Sequence, residues 1–317
     1  MQRILVIGGL GFLGGRITQY LLSKNYEVVI ATSRNLKLKE NYLGCKTVKI
    51  SWQISETIEF AIKGVDYIIH TRGANARDCE NDPELALKIN ALEVVALTQA
   101  VRKADRVKKI VYFSTAHVYK NPLCGIIDES TLTNNLHPYA TSHRAGEDII
   151  LLEGEKRAIT SIVLRLSNAF GSPINPENNC WSLLVNDLCR QSVEKGTLTL
   201  NSNGEEERDF ISISAVNSAL SFFLDNNCDS GIFNLGSGKS ISVLEMAKVI
   251  QNRVDNVLGF MPNLKLNGDV NKVTMNKSLE YRIDKLEFVG HKMVEMRNSE
   301  IDELLKFCEI NFKRKNE

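Results

Sequence analysis

The 317-residue sequence predicts an α/β fold, with a doubly wound parallel sheet and a smaller, discontinuous C-terminal lobe. Short apolar runs alternate with helical stretches through roughly the first half, and a glycine-rich turn follows the first apolar run. Strands that alternate with helices are joined by right-handed crossovers. The strands are therefore expected to be parallel and covered on both faces.

The elements of the sheet are predicted from the positions of the apolar residues. Strands are expected at 3–8, 26–31, 66–70, 109–114 and 161–167. Helices are expected at 12–24, 55–63, 84–104 and 139–153. In the helix at 84–104, Leu85, Ile89 and Leu92 recur at near-helical spacing, which is the pattern of one buried face.

The rhythm changes after residue 170, where glycine and proline break the chain. A helix is predicted at about 180–195, and Ser242 with Glu245 forms the pattern of a capping box. The strand-then-helix stretch at 210–224 and a strand at 232–235 are expected to return to the main sheet. The predicted domains are 1–170 plus 210–235 for the sheet, and 171–209 plus 236–317 for the second lobe.

Composition excludes several classes of protein. Thirty-nine basic and thirty-eight acidic residues give a net charge of +1, which lacks the basic stripe of a nucleic-acid binder. No apolar run reaches the roughly 18 residues of a membrane span, and no secretory signal is visible, so a cytoplasmic location is expected. Seven cysteines without a C-x-x-C pair and five scattered histidines predict free thiols and no metal site.

The strongest single motif is the run Gly8-Gly9-Leu10-Gly11-Phe12-Leu13-Gly14, which follows the first strand and opens a helix. Glycines at this spacing give a tight turn, backbone approach to a pyrophosphate and close helix–strand packing. N–H groups at the start of the helix face the negative charge. The turn therefore predicts a Rossmann-type dinucleotide site using Gly8, Gly11, Phe12, Leu13 and Gly14.

The end of the second strand bears on the choice between NAD and NADP. NAD sites place a carboxylate there for the ribose 2′-hydroxyl, whereas this chain has Thr32-Ser33-Arg34. Two hydroxyls and a guanidinium suit a 2′-phosphate better, because arginine offers a fixed fork of donors. The segment favours NADP, and NAD stays open as the alternative.

Two later motifs add a resemblance to a known family. Phe113-Ser114-Thr115-Ala116-His117-Val118-Tyr119 ends a strand, and the run from Pro138-Tyr139 to Glu147 opens a helix about twenty residues later. With the glycine turn, they resemble the extended short-chain dehydrogenase/reductases, the nucleotide-sugar epimerase/dehydratase family, over residues 1 to about 250. The resemblance implies an NAD(P)-binding enzyme, a substrate-binding second lobe and a homodimer formed through helices 84–104 and 139–153.

The resemblance assigns roles by position. It implies that Thr115 hydrogen-bonds the reacting sugar oxygen and that Tyr139 passes a proton to or from that oxygen. It also implies that Asn90 supports the cofactor site, that Asn168 lies near the substrate diphosphate and that Arg208 pairs with nucleotide phosphate.

The sequence departs from the family pattern at the lysine of Y-x-x-x-K, where this chain has His143. On a helix, His143 shares a face with Tyr139, since the two lie four residues apart. A neutral imidazole can hydrogen-bond the nicotinamide ribose but stabilises a phenolate less than a lysine does. We therefore expect His143 to keep the positioning role and only part of the charge role. Arg72, another departure, is expected near the cofactor phosphates.

The leading interpretation is an epimerase or 4-ketoreductase acting on a nucleoside-diphosphate sugar. The 4-ketoreductase using NADPH fits Thr32-Ser33-Arg34, and the 4-epimerase retaining NAD fits the motif set equally well. The missing lysine leaves a non-catalytic NAD(P)-binding sensor or scaffold as a rival, and a dehydrogenase of a non-sugar alcohol is a third possibility. The retained pair Thr115 and Tyr139 counts against the sensor, which has no need for proton transfer.

Overall fold

A computed structural model describes residues 1–34, 41–42, 44–267, 278–294 and 296–313. The chain packs into two compact units. The first comprises Met1–Asn121, Thr131–Leu166 and Asp225–Phe233, and the second comprises Pro122–Ser130, Ser167–Leu224 and Asn234–Glu317. Residues 210–224 pack in the second unit, whereas the sequence analysis groups them with the sheet domain.

The strands, in chain order, are β1 (Arg3–Ile7), β2 (Glu27–Thr32), β3 (Asn41–Tyr42), β4 (Cys45–Lys49), β5 (Tyr67–His70), β6 (Lys109–Thr115), β7 (Gly125–Ile127), β8 (Thr160–Leu166), β9 (Asn168–Phe170), β10 (Thr197–Leu200), β11 (Glu207–Ser212), β12 (Gly231–Leu235), β13 (Ser240–Ser242), β14 (Asn263–Leu266) and β15 (Leu279–Tyr281).

The helices are α1 (Phe12–Ser23), α2 (Ser55–Ile62), α3 (Ala76–Asn81), α4 (Pro83–Leu87), α5 (Glu93–Val101), α6 (Pro138–Lys156), α7 (Leu184–Lys195), α8 (Ile213–Asp225), α9 (Val243–Leu258), α10 (Asp284–Phe288) and α11 (Arg297–Phe312). A π-helical turn, Lys88–Leu92, joins α4 to α5, and a 3₁₀ turn, Ala116–Val118, follows β6. None of the helices in the described ranges is long and apolar enough to cross a membrane.

The main sheet has the order β12-β8-β6-β5-β1-β2-β4-β3. The pairings from β8 to β4 are parallel, and β1 lies between β5 and β2. The central strands β5 and β6 are buried along their whole length. This confirms the predicted doubly wound sheet. Ligands of such sheets bind at the carboxyl ends of the strands where the strand order reverses, and the glycine turn follows β1 there.

The first unit is held together by apolar side chains between this sheet and its helices. Leu5, Ile68 and Ile110 of the sheet are almost completely buried, as are Val94 and Leu97 of α5. Burying one such side chain contributes about 1.5–3 kcal/mol. The same packing fixes the strand ends that carry the polar residues described below.

The second unit has its own core, formed by α7, α9 and α11 against short strands. Ser242 caps α9 together with Glu245, so the predicted capping box is present. The expectation that the strand within 210–224 joins the main sheet is wrong. β11 pairs instead with β9 and β13, because Phe210 packs in the core of the second unit.

The predicted helix at 84–104 also differs in detail. It divides into α4, the π-helical turn Lys88–Leu92 and α5. Apolar periodicity does not distinguish these forms, since one wide turn shifts the spacing by a single residue. Asn90 and Ala91 in the wide turn are both buried. π-Helical turns occur frequently at functional sites.

Candidate functional site

The glycine turn has the backbone geometry of a phosphate cradle. Gly8 adopts a φ of +86°, which favours glycine. The Gly11 N–H donates to the Gly8 carbonyl oxygen at 2.8 Å, and Gly11 is the extended N-cap of α1. α1 begins at Phe12 without an acidic residue in its first turn. The positive end of the helix therefore faces the turn without a competing carboxylate from that turn.

Close packing explains why two of these positions need glycine. A Cβ on Gly8 would lie 2.8 Å from the backbone nitrogen of Arg72 and 2.8 Å from Thr71 Oγ1. A Cβ on Gly14 would overlap the Gly8 carbonyl oxygen and would also crowd Thr71 Oγ1. The turn thus fits a ligand that approaches backbone atoms closely, as the pyrophosphate of a dinucleotide does.

A pocket in the first unit continues from this turn along the ends of β1, β2 and β5. Its lining consists of Ile7, Gly8, Leu10, Gly11, Ala31, Thr32, Ser33, Arg34, Ile50, Trp52, Thr71, Arg72 and Gly73. None of the residues that the structure describes in this lining carries a carboxylate. Thr32 is buried, and its hydroxyl accepts a hydrogen bond from the Arg34 N–H at 3.2 Å, whereas the Arg34 side chain is exposed. The hydroxyls and guanidinium singled out in the sequence therefore line the pocket.

Arg72 lies on the pocket wall but is held by a residue that sequence reasoning missed. Its Nε donates to Glu93 Oε2 at 2.5 Å, and its Nη2 donates to Glu93 Oε1 at 3.1 Å. The Glu93 side chain is only 6% exposed. This paired geometry fixes the orientation of the guanidinium. No sequence signal marked Glu93, because it lies twenty-one residues from Arg72.

The proposed proton-transfer pair is brought together at the end of β6. Thr115 is buried, and Tyr139, in the first turn of α6, is half-buried. Burial raises the pKa of Tyr139 above its ordinary value, and a hydrogen bond from Thr115 opposes that rise. His137 caps α6 by accepting the Tyr139 N–H at 3.1 Å, and Pro138 occupies the first helical turn.

His143 lies against Tyr139 with their ring centroids 4.7 Å apart in an edge-on arrangement. Its side chain is buried, and burial lowers its pKa to about 4. Burial therefore favours the neutral form of the imidazole at pH 7, and the expected division of its role between positioning and charge stays a prediction. A second imidazole, His117, lies on another element with its ring centroid 6.5 Å from that of Tyr139.

Asn90 links three elements around this pair. Its Oδ1 accepts the Ala74 N–H at 3.0 Å, and its Nδ2 donates to Ser142 Oγ at 3.0 Å. The side chain is completely buried. These bonds tie the segment after β5 to the π-helical turn and to α6. The expected role of Asn90 in supporting the cofactor site stays a prediction.

A buried ion pair anchors α6 against the sheet. Arg165 of β8 donates through Nη2 to Glu147 Oε2 at 2.6 Å, and Ser114 donates to Glu147 Oε1 at 2.5 Å. Both charged side chains are at most 4% exposed. Removing one partner of such a pair leaves an uncompensated buried charge, which costs about 3–5 kcal/mol. The pair therefore holds the helix that carries Tyr139 and His143.

Asn168 and Arg208, the residues predicted to lie near the diphosphate and phosphate of the substrate, lie in the second unit on adjacent strands. Asn168 Nδ2 donates to the Asp209 carbonyl oxygen at 2.9 Å. The Arg208 side chain is 42% exposed and lies 3.5 Å from Glu206 Oε1, which is a long ion pair. Asp209 itself is buried, and it accepts from Ser167 Oγ at 2.5 Å and from the Ser237 N–H at 2.8 Å. This bonding fixes β9, β11 and the segment after β12.

Comparisons with known proteins agree with this geometry. Residues 4–236 match the model of the NAD dependent epimerase/dehydratase family. A relative described as a putative UDP-glucose 4-epimerase, from Methanocaldococcus jannaschii, is 30% identical over 258 residues, covering 79% of this chain and 82% of the relative.

Solved structures share the fold. A UDP-N-acetylglucosamine 4-epimerase from Methanobrevibacter ruminantium, in complex with UDP-N-acetylmuramic acid, aligns with a TM-score of 0.79 at 21% identity, covering 96% of this chain and 97% of that one. RMD from Pseudomonas aeruginosa, complexed with NADPH, aligns with a TM-score of 0.78 at 19% identity, covering 98% of this chain and all (100%) of that one. With the family match over most of its length, the chain belongs to the NAD dependent epimerase/dehydratase family.

Proposed function

We propose that this protein transfers a hydride between NAD(P) and a ring carbon of a nucleoside-diphosphate sugar, at C4 of a hexose. The observation that carries the proposal is that Thr115, at the end of β6, and Tyr139, in the first turn of α6, interact within the same unit as the glycine turn. A proton-transfer pair and a dinucleotide cradle are the two parts that such a reaction needs. The sugar specificity is supported by family membership and by the relative described as a putative UDP-glucose 4-epimerase.

The chain's own residues supply the proton chemistry. As a phenol, Tyr139 gives its proton to a sugar carbonyl oxygen, and as a phenolate it takes the proton of a sugar hydroxyl. In both directions Thr115 holds that sugar oxygen by a hydrogen bond. NAD(P), when bound, supplies the acceptor or donor of the hydride. Since His143 is neutral and burial raises the pKa of Tyr139, the phenol is protonated at pH 7. A protonated phenol suits reduction of a ketone better than abstraction of an alcohol proton.

The cofactor preference follows from the pocket lining. Thr32, Ser33 and Arg34 offer donors to a 2′-phosphate, and the described residues of the lining include no carboxylate to bind a 2′-hydroxyl. NADP is therefore the preferred cofactor in this proposal. RMD from Pseudomonas aeruginosa, whose structure shares this fold, is complexed with NADPH, which is compatible with that choice. NAD remains the cofactor expected if the reaction is an epimerisation.

The second unit is proposed as the substrate lobe. Arg208 would pair with nucleotide phosphate. Its guanidinium is half-exposed and only weakly paired with Glu206, so it has donors available for a phosphate. Asn168 would lie near the diphosphate. A homodimer in the cytoplasm completes this proposal, with the contact formed by the helical regions 84–104 and 139–153.

Two reactions fit these parts, and one measurement separates them. The freshly purified protein is denatured, and any nucleotide that it releases is identified by mass spectrometry. A 4-epimerase returns the hydride to its own product, so tightly held NAD is expected. A 4-ketoreductase exchanges its cofactor at each turnover, so an empty site that prefers NADPH over NADH is expected. A protein that releases no nucleotide and binds neither cofactor contradicts the proposal.

A further inference from the structure

The catalytic helix carries a buried polar contact that the reaction above does not use. Tyr112, on β6, is completely buried, and its hydroxyl oxygen lies 3.4 Å from His143 Nδ1. The same oxygen lies 3.4 Å from the backbone carbonyl oxygen of Asn90. Both distances are longer than those of typical hydrogen bonds, which are about 2.5–3.2 Å. Tyr112 thus connects the imidazole next to Tyr139 with the π-helical turn.

The Tyr112 hydroxyl fits here because residue 146 is a glycine and has no side chain. A Cβ on Gly146 of α6 would overlap both the Tyr112 hydroxyl and the Asn90 carbonyl oxygen. On the other side of the imidazole, a Cβ on Gly73 would lie 3.1 Å from His143 Cε1 and 3.3 Å from its Nε2. His143 is therefore seated between a glycine of the dinucleotide pocket wall and the Tyr112 hydroxyl.

A count of protons selects one arrangement of this contact. The Asn90 carbonyl can only accept a hydrogen bond, and the Tyr112 hydroxyl has one proton to donate. If Tyr112 donates to the Asn90 carbonyl, its oxygen can accept a hydrogen bond from the Nδ1–H of His143, and all three groups are satisfied. If Tyr112 donates to His143 instead, the Asn90 carbonyl loses this donor. Buried polar groups adopt the arrangement that satisfies the most partners.

We infer that Tyr112 holds His143 in the Nδ1–H tautomer, so that Nε2 faces the dinucleotide pocket wall as a hydrogen-bond acceptor. Nε2 then suits a hydroxyl donor, such as a ribose hydroxyl of the dinucleotide. A lysine at this position could only donate. Tyr112 is thus a positioning residue. The identity of the hydroxyl donor rests on the proposed function, whereas the tautomer does not.

The tautomer can be read directly by NMR. Protein labelled with ¹⁵N in its histidine rings is measured at pH 7.5, where a two-bond ¹H–¹⁵N correlation shows which nitrogen carries the proton. The His143 signals are assigned by their loss in His143→Gln. The wild-type protein is expected to show Nδ1–H. Wild-type protein with His143 in the Nε2–H form overturns the inference, whether or not any variant folds.

The role of Tyr112 is tested with Tyr112→Phe, which removes only the hydroxyl. The ratio of Nδ1–H to Nε2–H is expected to fall about fivefold to tenfold, the change produced by losing one buried hydrogen bond. The control is Tyr67→Phe, whose hydroxyl lies in the same sheet but contacts Gln2. An unchanged ratio in folded Tyr112→Phe overturns the inference. If that variant does not fold, Gly146→Ala displaces the hydroxyl and is expected to give the same change, and an unchanged ratio there overturns it.

Adding NADP or NAD then separates this inference from the proposed function. The Nε2 resonance of His143 is expected to move more than the Nδ1 resonance, because the ribose hydroxyl donates to Nε2. If His143 is in the Nδ1–H form but neither nucleotide shifts its Nε2 resonance, the role of Tyr112 is supported and the proposed function is contradicted. A change to the Nε2–H tautomer on binding overturns the acceptor role.

Discussion

The phosphate turn and the catalytic helix of the first unit differ in how strictly they keep the family pattern. In the turn, a Cβ on Gly8 or Gly14 meets backbone atoms, which cannot move aside without shifting a strand. Around His143, the neighbours are side chains and Gly73, so one charged residue could be exchanged for a ring. Backbone contacts therefore fix the glycine turn, whereas His143 is surrounded mainly by side chains, which can adapt to a different residue.

The largest effect is expected from a substitution in α6, at Tyr139. Tyr139→Phe removes the proton carrier and should lower turnover by about 10²–10⁴-fold, the contribution typical of general acid–base catalysis. NAD(P) affinity should stay within about twofold, because the cradle is unchanged. Turnover and dinucleotide affinity are measured side by side, with Tyr67→Phe as the matched control. A variant that turns over at the wild-type rate would exclude the role of Tyr139, and the sensor interpretation would gain support.

The cradle is tested by two alanine substitutions in the same turn. Gly14→Ala and Gly11→Ala should each weaken NAD(P) binding, since Gly11 allows backbone approach to the pyrophosphate and Gly14 allows close packing of the helix on the strand. Only Gly14→Ala should also destabilise the ligand-free protein, by about 1–3 kcal/mol, because its Cβ overlaps the Gly8 carbonyl oxygen whereas a Cβ on Gly11 lies 3.2 Å from it. Calorimetric binding and thermal unfolding measure the two effects. Equal losses of stability would contradict the packing argument.

The buried imidazole predicts a stability change with pH. The pKa of His143 is about 4 in the folded protein and about 6.5 when unfolded, so below pH 6.5 the unfolded chain binds a proton that the folded chain does not. The free energy of unfolding therefore falls as the pH falls from 6.5 towards 4. Between pH 7 and pH 5, urea unfolding of the wild-type protein should lose about 2 kcal/mol more than that of His143→Gln. Equal losses would show that His143 is not buried as a neutral group.

The smallest effect is expected from a change of charge at His143. His143→Lys places a cation near Tyr139, which favours the phenolate and should lower the pKa of Tyr139 by about one unit. The basic limb of the activity–pH profile should move to lower pH by a similar amount. His143→Gln, which adds no charge, serves as the control for the altered side chain. A profile and rate that His143→Lys leaves unchanged would contradict the division of roles between positioning and charge.

The sequence was most informative where local chemistry determines structure. Apolar runs located the central strands, and the glycine spacing located the turn, because both depend on residues close in the chain. The pairing of β11 with β9 and β13 could not be predicted, since strand partners are chosen by the core of the second unit. The π-helical turn could not be predicted either, because one wide turn leaves the apolar periodicity almost intact.

For the candidate site, sequence reasoning identified residues that belong to motifs and missed the partners that orient them. Glu93 beside Arg72, Tyr112 beside His143, and Glu147 beside Arg165 are distant in sequence and carry no motif signature. One signal was available for Tyr112: a polar ring in an otherwise apolar buried strand requires a hydrogen-bond partner. The roles of the predicted site residues themselves stay predictions for the variants above.

The most direct test of the account is a titration of the protein with NADPH and NADH. Trp52 lines the dinucleotide pocket, so binding of a reduced nicotinamide should quench tryptophan fluorescence. The account predicts saturable quenching by a reduced nicotinamide nucleotide at micromolar concentrations, with NADPH bound more tightly, and its loss in Gly14→Ala. If neither nucleotide quenches the fluorescence or binds calorimetrically up to millimolar concentrations, in protein shown to be free of retained nucleotide, the assignment of this pocket to NAD(P) is wrong.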